Sequence, residues 1–158
     1  MSINIIEKII IIFRKPRIVV LAENNREQVE RIAADILGSS FKVGREVLFI
    51  DDMEKINLSS RESLIFNFDK GGLRRIKEKA PDAKLLTFGF QEGANFQASD
   101  LRQNGDTNFK INYQGKIVPV WLVGTKSREE IYSVLTAAAI GALLGLNLVE
   151  ISQALKKG

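Results

Sequence analysis

Cysteine and histidine are both absent from this 158-residue chain. Without cysteine there can be no disulfide, no thiolate metal site and no cysteine nucleophile. Without histidine the commonest general base and the commonest metal ligand are gone. Any metal would have to be a hard cation on oxygen ligands, such as magnesium. A membrane span is not expected either. The apolar segment Ile3–Phe13 is too short to cross a bilayer and is interrupted by Glu7 and Lys8. It also lacks the basic start and small-residue cleavage site of a secretory signal, so the expected location is cytoplasmic, with no membrane insertion.

What is present is ordinary for a globular protein. Hydrophobic residues make up 45% and charged residues 27%, enough to build a buried core. The formal net charge is +4, but the signs are mixed along the sequence. That mixture reads as a solvated surface, and no nucleic-acid partner is expected. The basic run Arg74, Arg75, Lys77 and Lys79 has no aromatic platform beside it, and a solvated helix face explains it.

The order of elements points to an α/β fold. Residues 3–14 can form an amphipathic helix, with Ile6, Ile9, Ile10 and Phe13 on one face, or a strand can run from Ile9 to Phe13, since isoleucine has only middling helix propensity; Pro16 ends the element either way. Residues 17–22 (RIVVLA) have the β-branched character of a buried parallel strand. The turn Glu23-Asn24-Asn25 leads into a helix over 26–37, with Gly38 as its C-cap. Short strands are expected at 47–50, 64–68 and 84–90, with a basic helix at 71–79 closed by Pro81. The alternation argues for a mainly parallel sheet flanked by helices. A β-hairpin (109–113 and 117–122, around Gln114-Gly115-Lys116) then precedes a long alanine-rich helix over 127–146. A last helix over 148–157 is capped by Asn147. The length fits one domain, 1–158, with an apolar N-terminal helix at 1–15 and the α/β core at 16–158.

Several stretches resemble the central domain of Mur ligases. Phe66-Asn67-Phe68-Asp69 resembles the family's strand-end "N-x-D" segment. Leu86–Phe90 (LTFGF) followed by Phe96-Gln97-Ala98-Ser99-Asp100 is similar to "TFGF…ADF.A.DI". The hairpin up to Val120-Trp121-Leu122 resembles the strand carrying "v.v.L". Ile131–Leu155 (IYSVLTAAAIGALLGLNLVEISQAL) resembles the family's long alanine-rich pattern almost without gaps. The pattern is nearest to members that add D-alanyl-D-alanine to the peptidoglycan precursor. The resemblance implies the reduced central domain of a P-loop-type fold. It lacks the family's N- and C-terminal domains and a stretch of the central domain between Ile50 and Ser63.

The departures fall on the chemistry. Where the family reads "TGSNGKTT", this sequence reads Ala22-Glu23-Asn24-Asn25-Arg26-Glu27-Gln28. In that register Asn24 takes the place of the motif asparagine and Arg26 that of the lysine. Ala22 and Asn25 replace glycines that would let backbone N–H groups close on phosphates. Glu27 and Gln28 replace the magnesium-binding hydroxyls, and Glu27 would set negative charge beside a triphosphate. Arg26 keeps charge without the geometry of lysine. A solvated first helical turn, with Glu27 favoured by the helix dipole, explains the same residues. The family's "G-x-H-N-x-x-N" run falls on Ser127–Ser133, where a Ser127–Glu130 capping box suffices. Asp51, Asp52 and Glu54 could imitate a magnesium site, but such residues are also ordinary loop chemistry.

The expectation is therefore a non-catalytic Mur-ligase-like domain with no catalytic residue, no metal site and no required cofactor. A protein partner or homodimerisation is expected through the N-terminal segment, where seven isoleucines fall within Ile3–Phe13. The alternative is a residual ATP- and magnesium-binding ligase, or one subunit of a split ligase. For that alternative the nucleotide-site candidates are Asn24, Arg26, Asn67 and Asp69, the last two at a strand's carboxyl end where open α/β sheets bind ligands.

Overall fold

A computed structural model describes residues 17–38 and 47–157. The expected N-terminal helix lies outside the described residues. Seven strands form one sheet in the order β2-β1-β3-β4-β5-β6-β7. These are β1 (Arg17–Leu21), β2 (Val47–Ile50), β3 (Glu62–Asn67), β4 (Lys84–Gly89), β5 (Phe96–Asn104), β6 (Asp106–Tyr113) and β7 (Lys116–Leu122). The first five are mutually parallel, and β5, β6 and β7 form an antiparallel meander. Among the described residues four α-helices accompany them: α1 (Arg26–Leu37), α2 (Leu73–Lys79), α3 (Arg128–Leu143) and α4 (Leu148–Lys157).

The two faces of the sheet are covered unequally. On one face α1, α3 and α4 close a large core that includes Val20, Phe88, Phe96, Ile111, Leu135 and Ile151. From Ile131 to Gly141 every residue of α3 is buried, as expected of a helix apolar on all sides. Gly141 lets α3 approach its neighbours: a Cβ there would stand 3.2 Å from Ile36 Cγ2 and 3.5 Å from Ile151 Cγ1. On the other face α2 and a 3₁₀ turn at Met53–Lys55 cover β1, β3, β4 and the end of β2, through Val19, Ile50, Leu64, Phe66, Ile76 and Leu85. The outward residues of β6 and β7, among them Lys110, Ile117 and Trp121, belong to neither apolar cluster. Ile117 is 61% exposed and Trp121 52%.

The expected hairpin is present, with Gln114 and Gly115 both at positive φ (51° and 75°). That is the two-residue turn whose twist matches the flanking strands. The strand reading missed β5, whose FQASDLRQN is polar and carries a bulge between Ser99 and Arg102. A polar strand with a shifted register hides the period-two alternation that betrays strands in sequence. The alanine-rich helix ends at Leu143, three residues earlier than expected, ahead of Gly145 at φ 105°. Asn147 caps as read, its Oδ1 accepting from Glu150 N, and of the expected Ser127–Glu130 box one half forms, Ser127 Oγ accepting from Glu130 N. On the edge strand β7, Pro119 occupies the midpoint, where its missing N–H costs no interior ladder bond. Its carbonyl accepts from Ser152 Oγ of α4.

At the tip of the meander, Asp106 Oδ1 accepts from Gly124 N at 2.9 Å and Oδ2 from Trp121 Nε1 at 3.0 Å. The Gly124 N–H first, and Trp121 second, hold this carboxyl below its ordinary range. A depressed folded-state pKa contributes stability above the ordinary carboxylate value, and the contribution is lost as pH falls through the lowered one. Trp121 is the sole tryptophan. Its fluorescence is expected to show an acid transition below the ordinary aspartate range that Asp106→Asn removes. A midpoint at or above that range would refute the assignment.

Candidate functional site

The strand order reverses around β1, since the backbone steps from β1 outward to β2 and then back across to β3. In open α/β sheets the crevice beyond the carboxyl ends at such a point is the usual ligand site. Here it holds a cavity of about 160 Å³, lined by Leu21 at the end of β1, by Asn24 and Asn25 from the loop after it and by Phe66, Asn67 and Lys70 from β3 and its exit. Glu129 and Tyr132 of α3 complete one wall. A wider cleft of about 1000 Å³ opens beside it, reaching Arg26, Glu27, Asp51 and Lys55.

Of the four residues singled out in the sequence, the fold brings Asn24 and Asn67 to the same cavity. Asn24 and Arg26 both face the wider cleft. Arg26 is committed elsewhere. Its Nε donates to Glu30 Oε1 at 2.7 Å, and its guanidinium lies 5.3 Å from the centre of the Phe49 ring. Asn67 Oδ1 accepts from Asp69 N at 2.9 Å, capping the short 3₁₀ turn Phe68–Lys70.

Asp69 joins three segments. Its carboxylate accepts from Phe90 N (2.7 Å), Gln91 N (2.9 Å) and the Tyr132 hydroxyl (2.7 Å). Burial pushes the Tyr132 phenol up, so it stays protonated and available as this donor at neutral pH. Gly89 permits the approach, because a Cβ there would stand 2.7 Å from Asp69 Cγ. Sequence reading singled out Asp69 but missed Tyr132 and Gly89. Neither carries a signal in isolation, since a tyrosine on an apolar helix and a glycine ending a strand are both common.

The strand-to-helix turn is tied up by its own side groups. Asn25 Nδ2 donates to Ser133 Oγ at 2.9 Å, and Ser133 Oγ donates to Gln28 Oε1 at 2.7 Å. Ser133 is fully buried. The turn after β1 and the first turn of α1 are thereby fastened to α3. Ser133→Ala would leave the Asn25 amide and the Gln28 carbonyl without this partner. It is expected to cost about 1–3 kcal/mol in urea unfolding, and a cost near zero would mean that water replaces the hydroxyl freely.

The charges around the cleft are largely paired. Lys55 meets Asp51 at 2.7 Å and Lys70 meets Glu129 at 3.5 Å. The Lys55 ammonium lowers the Asp51 carboxyl, and Asp51 in turn raises Lys55. Both groups are exposed, so the pair adds little to stability. Glu23 and Glu27 also stand at the mouth. The carboxylates of the Asp51–Glu54 segment point to separate partners. Asp51 takes Lys55, Asp52 caps Glu54 N, and Glu54 receives Arg75 and Lys79 from α2. Among the described residues no three carboxylates gather in one place. In the basic run of α2, Arg74 is likewise engaged, meeting Glu78.

No family model matches the sequence. A curated relative, the UDP-N-acetylmuramate–L-alanine ligase of Caldanaerobacter subterraneus, is 25% identical over 81 residues, which are 50% of this chain and 18% of that protein. MurF from Acinetobacter baumannii aligns with a TM-score of 0.66 at 12% identity, over 91% of this chain and 46% of its own. MurF ligase from Thermotoga maritima, solved in complex with ADP, aligns with a TM-score of 0.62 at 13% identity, over 87% and 48%. A pseudomurein peptide ligase type C from Methanothermus fervidus gives 0.55 at 13%, over 92% and 50%. The present protein spans about half the length of those solved structures. No helix among the described residues is long and apolar enough to cross a membrane.

Proposed function

From a protein that has the Mur ligase fold over most of its length, we propose a non-catalytic module that acts by binding protein, in the cytoplasm, alongside the enzymes of peptidoglycan precursor synthesis. One observation carries this reading. The turn whose backbone would have to close around phosphates is held instead by the linked hydrogen bonds Asn25–Ser133–Gln28. Three further features support it. Arg26 is drawn toward Glu30 and Phe49. Glu23 and Glu27 set negative charge where a nucleotide's phosphates would enter. Asp69 spends its carboxylate on two backbone N–H groups and a phenol rather than on a ligand.

Magnesium and ATP fit these residues poorly, so no chemical step is assigned to them. Titration with Mg-ATP and Mg-ADP, followed by thermal shift and calorimetry, is expected to give no binding up to millimolar nucleotide. Micromolar binding would overturn the reading and reopen that of a residual ligase. The Ile-rich segment 3–13 is the proposed contact with a second copy or another protein. Its deletion is expected to reduce the size of the native species in light scattering. A stable particle of unchanged subunit number would remove the homo-oligomer.

A further inference from the structure

Of the ten asparagines in the sequence, only Asn104 is followed by glycine. The fold puts this pair at the tip of the β5–β6 hairpin, where β5 ends on Asn104 and β6 begins on Asp106. Every residue from Asp100 to Gly105 is exposed. Gly105 has φ 84°, with nothing within 4 Å of where a Cβ would stand. We propose that Asn104 is a site of spontaneous, backbone-assisted deamidation, which adds a second carboxylate to the hairpin tip beside Asp106.

The step needs only water and hydroxide. Hydroxide removes the proton from the Gly105 amide nitrogen, which then attacks Cγ of Asn104. A bond forms between that nitrogen and Cγ, the Cγ–Nδ2 bond breaks, and the departing nitrogen takes a proton from water and leaves as ammonia. The five-membered imide is then opened by water at either carbonyl, giving aspartate or isoaspartate. One water is consumed and one ammonia released, and nothing is oxidised or reduced.

Two features single out Asn104 among the asparagines. A glycine leaves the attacking nitrogen unshielded and the backbone free to turn. By contrast Asn67, Asn95, Asn108 and Asn112 each precede a phenylalanine or tyrosine. Several of the others also have their amides engaged: Asn25 with Ser133, Asn67 with Asp69 N, Asn95 with Thr87, Asn112 with Ser99 and Asn147 with Glu150 N. The product would matter locally. A new carboxylate would stand two residues from Asp106, which anchors Trp121 and Gly124. Isoaspartate would also add a backbone atom at the turn that sets the β5–β6 register.

The test is peptide mapping of the intact folded protein held in mildly alkaline buffer. Trypsin cuts after Arg102 and Lys110, releasing Gln103–Lys110, and fragmentation separates Asn104 from Asn108. Asn104 is expected to gain about 1 Da some tenfold faster than any other asparagine, at a rate within about threefold of the urea-unfolded protein. Protection of Asn104 by tenfold or more in the folded state, or faster conversion at another asparagine, would overturn the proposal.

Discussion

Asp69→Ala is expected to lower stability by about 3–5 kcal/mol, because a carboxylate accepting three hydrogen bonds contributes more than a neutral acceptor. The loss has a specific anatomy. Phe90 N, Gln91 N and the Tyr132 hydroxyl would all lose their acceptor. The substitution therefore releases the loop after β4 and the N-terminal turns of α3 together. Gly89→Ala should damage the same junction from the other side, by driving a Cβ to within 2.7 Å of the carboxylate carbon. Once Asp69 is alanine that clash is gone, so the double variant should be more stable than the sum of the singles predicts, by about 1–3 kcal/mol. Urea unfolding of the parent, the two singles and the double measures the cycle. Strict additivity would mean that the two residues do not meet as described.

Leu135→Ala is expected to cost about 3–5 kcal/mol, the range for a fully enclosed leucine whose cavity cannot collapse. Leu135 has no exposure and lies near the middle of the enclosed run of α3. The sheet, α1 and α4 all pack against α3, so the core around this helix is closed by several elements. Val149→Ala is the internal control. Val149 is 56% exposed, and its truncation should stay within about 0.5 kcal/mol. Comparable losses at the two positions would contradict the placement of α3 at the centre of the fold.

Most of this architecture was legible in the sequence because local chemistry and tertiary position agree. RIVVL could hardly be other than a buried parallel strand, and the Asn147–Glu150 cap announced the last helix. The candidate site was legible in a different way. Asn67 was found because strand exits are where ligands bind and Asn24 by register with a family motif, and both do face one cavity. Arg26 was drawn from alignment to a motif, and its guanidinium goes to Glu30 and Phe49, partners that no linear spacing specifies. The role of Asp69 was hidden for the same reason. Its partners lie about twenty and sixty residues downstream, and hydrogen bonds of that span leave no periodicity. β5 was hidden by its polarity, because beyond Ala98 neither of its faces is covered and residues 100–104 are all exposed, so nothing imposes alternation there.

The edge strand β7 bears on how copies of this protein can associate. An open edge normally offers a row of amides and carbonyls to any passing strand, and fibrils grow that way. At the midpoint of β7 the amide hydrogen is missing at Pro119, and the carbonyl of the same residue is already occupied by Ser152. A strand laid alongside would lose two contacts at its centre, leaving stubs too short to hold. Growth by templating is thus discouraged on this side of the molecule, and assemblies built on it must join side-group surfaces rather than fuse their sheets into one.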